Sequence, residues 1–127
     1  MNIRFEPRHG LIVVQAELWG PAGSTILRMA LDTGAMTTLV NAAPLAWVGY
    51  DPALSTERVQ ITTGSGVEFT PQLPVERIRA LGHERVDHIV LCHTLPPSAN
   101  VDGLLGLDFL RGHKLVIDFD TGQLTLD

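Results

Sequence analysis

The chain has 127 residues, 45% hydrophobic and 18% charged, which suits one domain over residues 1–127 that buries roughly two thirds of the surface its unfolded form exposes. That composition excludes wholesale disorder. Nine basic against fourteen acidic side chains leave a net charge of -5 without a basic cluster, so neither a nucleic-acid backbone nor an anionic membrane surface is expected as a partner.

In chain order, Met1 to Glu6 carries charges where a signal peptide needs an apolar core, and no later run approaches the ~20 apolar residues of a membrane span. A soluble, unprocessed, cytoplasmic chain is the expectation. Ile3 to Phe5 alternates as a short strand, and Leu11 to Trp19 is apolar and β-prone up to the turn Gly20-Pro21-Ala22-Gly23. The return strand, Ser24 to Leu31, runs directly into Asp32-Thr33-Gly34, and Thr37 to Val40 resumes the strand. Asp32 thus stands in an apolar, β-branched run. Taking an ionised carboxylate out of water costs several kcal/mol unless partners or a proton compensate it, so Asp32 is either specifically held or there to react.

Asn41 is expected to cap a short helix over Ala42 to Val48, with Pro44 in its first turn and Gly49 as its stop. Thr56 to Thr63 reads as a strand that turns through Gly64-Ser65-Gly66 into Val67 to Phe69, a second hairpin. Pro71 to Pro74 is expected to interrupt, and Val75 to Ala80 to form a further strand. Leu81 to Glu84 reads as a turn, and Val86 to Cys92 as a buried strand. Cys92 is the one cysteine, which rules out an intrachain disulfide and fits a reducing compartment. After the loop His93 to Asn100, Leu104-Leu105-Gly106 leads into a helical turn stopped by Gly112. Strands Lys114 to Phe119 and Gln123 to Leu126 then flank Asp120-Thr121-Gly122. The sum is a mainly β chain of many short strands with one or two short helices, a small barrel-like or sandwich fold.

Asp-Thr-Gly after a buried strand has a mechanical logic. The carboxylate projects into a cleft, Thr can fix the loop through its hydroxyl, and Gly allows close backbone approach. The tripeptide occurs twice, however, and Asp120-Thr121-Gly122 lies between two strands five residues from the end, where it reads as an ordinary turn. The surroundings favour Asp32. Asp32-Thr33-Gly34-Ala35, the hairpin tip Gly64-Ser65-Gly66 and the apolar-apolar-Gly segment Leu104-Leu105-Gly106 follow in order across nearly the whole chain, and in this the sequence resembles the retropepsin-like aspartic proteases.

The resemblance implies a small closed β-barrel, with Asp32, Thr33 and Gly34 as the catalytic loop and Leu104, Leu105 and Gly106 packed beneath it. It also implies a flap over the substrate, with Ala35, Thr62, Thr63, Gly64, Ser65 and Gly66 bordering the cleft. Retroviral members carry an acid four positions after the catalytic Asp and an Arg after the second-motif Gly, where this chain has Met36 and Leu107. Loss of both ion-pair partners together can be neutral, so a Met36–Leu107 contact is expected.

Hydrolysis by this chemistry needs two carboxylates around one water, and one chain offers one. The second is expected from Asp32 of another copy in a two-fold homodimer, with Ile3 to Phe5 and Gln123 to Leu126 as candidate intersubunit strands by resemblance. The expected function is an aspartic endopeptidase acting on peptide or protein substrates, without metal or organic cofactor. The rival is a non-catalytic dimeric domain for peptide binding or assembly. His83, His88 and His93 are spaced by five, which matches neither one helix face nor one strand face. Asp102 and Asp108 flank the second motif as residues that could order it.

Overall fold

The computed structural model describes residues 1–63 and 66–127. The described residues form ten strands and two short helices. In order these are β1 (Ile3–Arg4), β2 (Val13–Gly20), β3 (Gly23–Leu31), β4 (Leu39–Val40), α1 (Ala42–Trp47), β5 (Glu57–Thr63), β6 (Gly66–Ala80), β7 (His83–Cys92), β8 (Gly103–Leu105), α2 (Leu107–Leu110), β9 (Leu115–Asp118) and β10 (Gln123–Leu126). Strands β2, β3, β8, β4, β7 and β6 are paired in that order, and β6 pairs back onto β2 from Ala16↔Ala80 to Trp19↔Arg77. The sheet therefore closes on itself as a small barrel, the shape expected, and closure removes the exposed edges that an open sheet would present.

Alternation along the strands fills the barrel. Leu18, Leu27, Met29, Ile78 and Leu105 point inward with no exposed surface, joined by Leu45 from α1 and Phe109 from α2. Each such side chain is stabilised by roughly 1.5–3 kcal/mol on burial. Cys92 belongs to this core, and burial pushes its thiol pKa up, so it is a packing group rather than a nucleophile.

Three local expectations are corrected. Pro71 and Pro74 do not interrupt, because β6 is a continuous strand of 15 residues. Pro71 pairs with Arg58 of β5 and Pro74 with Ile89 of β7, while β6 changes partner at Gln72. Both prolines thus lie where only one edge of the strand is paired, and a missing N–H is tolerated there. The turn after β6 is confined to Leu81 and Gly82, both at positive φ (57° and 81°), the twist that a two-residue hairpin needs. Asn41 does not cap α1. Its side chain instead donates to the Val101 carbonyl at 3.2 Å and accepts from the Leu95 amide at 3.0 Å, while the Thr94 hydroxyl receives the Ala42 amide at 3.2 Å. Asn41 spans two loops because both converge where β4 ends.

The termini form a separate sheet in the order β1-β10-β9. Within it β9 pairs with the whole of β10, and β1 covers the other edge only at Gln123 and Leu124. On that edge Thr125 and Leu126 have no strand partner among the described residues. Among the described residues no helix is long and apolar enough to cross a membrane.

Candidate active site

Asp32 lies one residue past β3, where the chain leaves the barrel wall. The parallel pairing of β3 with β8 ends at Leu31↔Leu105, and the Asp32 amide takes one further bond, to the Leu105 carbonyl at 3.0 Å. The loop then folds on its own carboxylate. Gly34 donates its amide to Asp32 Oδ1 at 2.8 Å, and the Ala35 amide reaches the Asp32 carbonyl at 3.2 Å. Asp32 is half-buried and Thr33 and Gly34 are exposed, so the carboxylate has one oxygen anchored and faces outward. Space at Gly34 is tight, since a Cβ there would stand 3.1 Å from Asp32 Oδ1.

The second motif lies beneath. Leu105 is wholly buried and Leu104 reaches the cleft. Gly106 has its backbone against the loop, where a Cβ would meet the Ala35 carbonyl oxygen at 2.8 Å and the Thr37 carbonyl carbon at 3.0 Å. From there α2 docks under the loop, with the Leu107 amide on the Ala35 carbonyl at 2.8 Å and the Asp108 amide on the Met36 carbonyl at 3.2 Å. Backbone bonds thus tie the two motifs, some seventy residues apart, into one unit.

The expected Met36–Leu107 packing is not what holds them. Met36 is 79% exposed, its side chain turned outward beside the cleft. The inward place is taken by polar groups. Asp108 Oδ1 accepts from the Thr38 amide at 2.9 Å and the Thr38 hydroxyl at 2.8 Å, and that hydroxyl accepts the Gly106 amide at 3.2 Å. Asp108 Oδ2 meets His88 Nε2 at 2.8 Å. Burial pushes the Asp108 carboxyl up, but the bonds from His88 and from both Thr38 donors outweigh it and hold the group below the ordinary carboxylate range.

The hydroxyl that fixes the loop is therefore that of Thr38, fully buried, and among the described residues Thr33 hydroxyl has no partner. Sequence reasoning missed Thr38 and His88. A buried threonine in a β-branched run carries no signal of its own, and His88 is fifty residues from the loop that it supports. Asp102, the other flanking acid, ties β3 to the loop before β8: its Oδ2 accepts the Arg28 amide at 2.7 Å, and its own amide reaches the Arg28 carbonyl at 2.7 Å.

The three histidines of the five-residue spacing separate to different partners. His83 Nε2 lies 2.6 Å from the Leu126 carbonyl, His88 is bound to Asp108, and His93 Nδ1 sits 3.5 Å from Glu68 on β6. The second Asp-Thr-Gly is a hairpin turn. Asp118 Oδ1 accepts the amides of Asp120 and Thr121, and Asp120 is exposed.

Beside the Asp32 loop opens a cleft of about 470 Å³, lined by Gly34, Ala35 and Met36 on one side, Ile61 and Thr62 of β5 on another, and His93 at one end. Thr62 and Ala35, two of the expected border residues, thus share this cleft. Thr63 ends β5 opposite Gly66, and Gly64 and Ser65 lie outside the described residues. The β5–β6 hairpin projects beyond the barrel, because β5 pairs only with β6 among the described strands.

The comparisons with known proteins agree with this architecture. The model of the family described as gag-polyprotein putative aspartyl protease matches residues 22–112. No curated protein matches the chain. Among solved structures, a retropepsin-like aspartic protease from Rickettsia conorii superimposes with a TM-score of 0.74 at 18% identity, over 99% of this chain and 88% of that one. With a family match over most of its length and the same barrel in a solved structure, this chain belongs to that gag-type aspartyl protease family and has the retropepsin-like fold.

Proposed function

We propose that the chain acts over residues 1–127 as an aspartic endopeptidase, and that its active unit is a homodimer in which Asp32 faces Asp32 of a second copy across a two-fold axis. The observation that carries this reading is the state of Asp32: one half-buried carboxylate, anchored through Oδ1 by the Gly34 amide, in a loop whose next residues, Gly34 to Thr37, line a cleft. Two such carboxylates cannot both ionise at close range, so the pair shares one proton. The ionised member takes a proton from the water between them as it attacks the peptide carbonyl, and the protonated member donates to the developing oxyanion. Thr33 and Gly34 shape the loop. Ala35 and Met36 beside it and Ile61 and Thr62 opposite form apolar and hydroxylic walls suited to substrate side chains, with the tip at Gly64, Ser65 and Gly66 as the closing flap.

Dilution tests the dimer. Sedimentation over a range of concentrations is expected to show a monomer–dimer equilibrium, with peptide hydrolysis per molecule falling as dimers part. A protein that is monomeric at every concentration yet cleaves would overturn the paired-Asp32 mechanism. Gly34→Ala tests the loop separately. Its added methyl presses on Asp32 Oδ1, and a misplaced carboxylate is expected to lower kcat by about tenfold to a hundredfold while the melting temperature stays near that of the parent.

A further inference from the structure

Helix α2 is held to strand β7 at both ends. At its start, Asp108 meets His88 Nε2 at 2.8 Å; at its end, Arg85 donates to the Phe109 and Arg111 carbonyls at 2.8 and 2.7 Å. Between them the Phe109 ring lies edge-on to His88, centroids 6.4 Å apart. The same Asp108 carboxylate receives both polar groups of Thr38, whose carbonyl in turn accepts the Leu91 amide of β7 at 3.0 Å. Three elements therefore converge on one carboxylate: the loop that carries Asp32, the helix under it, and the strand behind. Thr38 is completely buried, so losing that acceptor would leave an amide and a hydroxyl without water to replace it.

We propose that Asp108 and His88 are a positioning pair for the Asp32 loop, a clamp that holds Thr38 and the residues before it against α2 and β7. Its effect on turnover rests on the proteolytic reading above; its geometry does not. The carboxylate is divided between the two, since Oδ1 serves both Thr38 donors and Oδ2 serves His88, so one side chain fixes the loop to the helix and the helix to the strand. Asp108, held below the ordinary carboxylate range, supplies stability that is present above that range and is lost only as pH falls through its lowered value.

The other ionisable groups on the packed elements are engaged elsewhere. Arg85 is on the α2 carbonyls, Glu76 and Asp87 act on the Tyr50 phenol, Arg77 pairs with Glu84, and His93 pairs with Glu68. Arg111 follows α2 and is exposed.

Asp108→Asn separates charge from shape. The amide keeps an acceptor for Thr38 but carries no charge. Asp108→Ala removes the acceptor, and His88→Gln keeps a polar group opposite Oδ2. The test is amide hydrogen exchange of residues 35–38 and Gly106 at neutral and acidic pH, corrected for intrinsic rates, together with kcat and KM on a peptide that the parent cleaves. In Asp108→Ala, protection and kcat are expected to fall by about tenfold or more with KM little changed, and Asp108→Asn is expected to restore most of both. His88→Gln is expected to keep protection at both pH values.

Undiminished protection of residues 35–38 in Asp108→Ala would overturn the clamp, and so would a kcat equal to the parent's. If Asp108→Ala does not fold, His88→Ala decides, and parent-like protection and kcat there would overturn the clamp. If the parent cleaves nothing, the proteolytic reading fails, and the exchange profiles still judge the clamp.

Discussion

Asp32→Asn is expected to leave a folded protein that no longer hydrolyses peptides. The substitution is nearly isosteric, and the remaining carbonyl oxygen can still accept the Gly34 amide that Asp32 Oδ1 now receives at 2.8 Å. The Asp32 amide keeps its bond to Leu105, so the loop retains its shape, and a half-buried site outside the core should change stability by less than about 1 kcal/mol. Chemistry is another matter. An amide can neither take a proton from water nor share one with its counterpart, and loss of a general base costs on the order of 10^3-fold or more in rate.

The measurement is cleavage of a peptide library, followed by mass spectrometry from acidic to neutral pH, for the parent and the variant. Mixing the two in equal amounts sharpens it. If subunits exchange freely and each site needs both acids, only about a quarter of dimers remain fully wild type, and activity should fall to about a quarter of the parent's at equal total protein, against about half without exchange. Cleavage that survives Asp32→Asn would place the chemistry elsewhere. Peptide binding without cleavage in both proteins would favour the non-catalytic dimer.

Gly103→Ala is expected to be among the most destabilising single substitutions in the chain. Gly103 opens β8, paired on one side with Met29 of β3 and on the other with Val40 of β4. A Cβ there would fall 2.0 Å from the Leu39 carbonyl oxygen, 3.0 Å from its carbon and 3.1 Å from Met29 Cε. The methionine tip could swing aside, but the Leu39 carbonyl belongs to the sheet and cannot. Relief requires β4 and β8 to part, at a cost of about 3 kcal/mol or more, a large share of the ~5–15 kcal/mol by which such a domain is stable.

Gly112→Ala is the control. It too lies near the second motif, but a Cβ there meets nothing within 4 Å, and only its left-handed φ of 85° opposes the change, at about 1 kcal/mol. Urea unfolding of the pair separates crowding from conformational strain. Equal midpoints would show that β8 has room that the geometry denies it. Because the Leu105 carbonyl holds the Asp32 amide, any shift of β8 also moves the proposed catalytic loop, so Gly103→Ala should lose activity along with stability.

Much of the barrel could be read along the chain because its elements are made by neighbours. The β2–β3 hairpin follows from alternation and the Gly20 to Gly23 turn, and Ser24 to Leu31 delivers Asp32 to a strand end as expected. The closing strands β9 and β10 flank the second Asp-Thr-Gly, whose exposed Asp120 identifies it as a turn. Where reading by neighbours failed, a distant partner had intervened. Pro71 and Pro74 are breakers in isolation, yet β5 and β7 carry β6 through both. Asn41 has the chemistry of a cap, but the Val101 carbonyl and Leu95 amide, sixty and fifty-four residues away, claim its side chain.

The same division runs through the candidate site. The order of the Asp32 loop, the glycine hairpin and Leu104-Leu105-Gly106 was legible as a resemblance to the retropepsin-like proteases, and that resemblance implied the barrel and the expectation of a second acid. What stands under the loop was decided only by the tertiary structure. Met36 and Leu107 occupy positions that suggested an apolar contact, but Met36 faces outward, and Asp108 joins Thr38, seventy residues before it, to His88, twenty before it. Local pattern says that a buried polar group must be satisfied. Which distant group satisfies it depends on how strands and helix cross in space, and the closed barrel sets that.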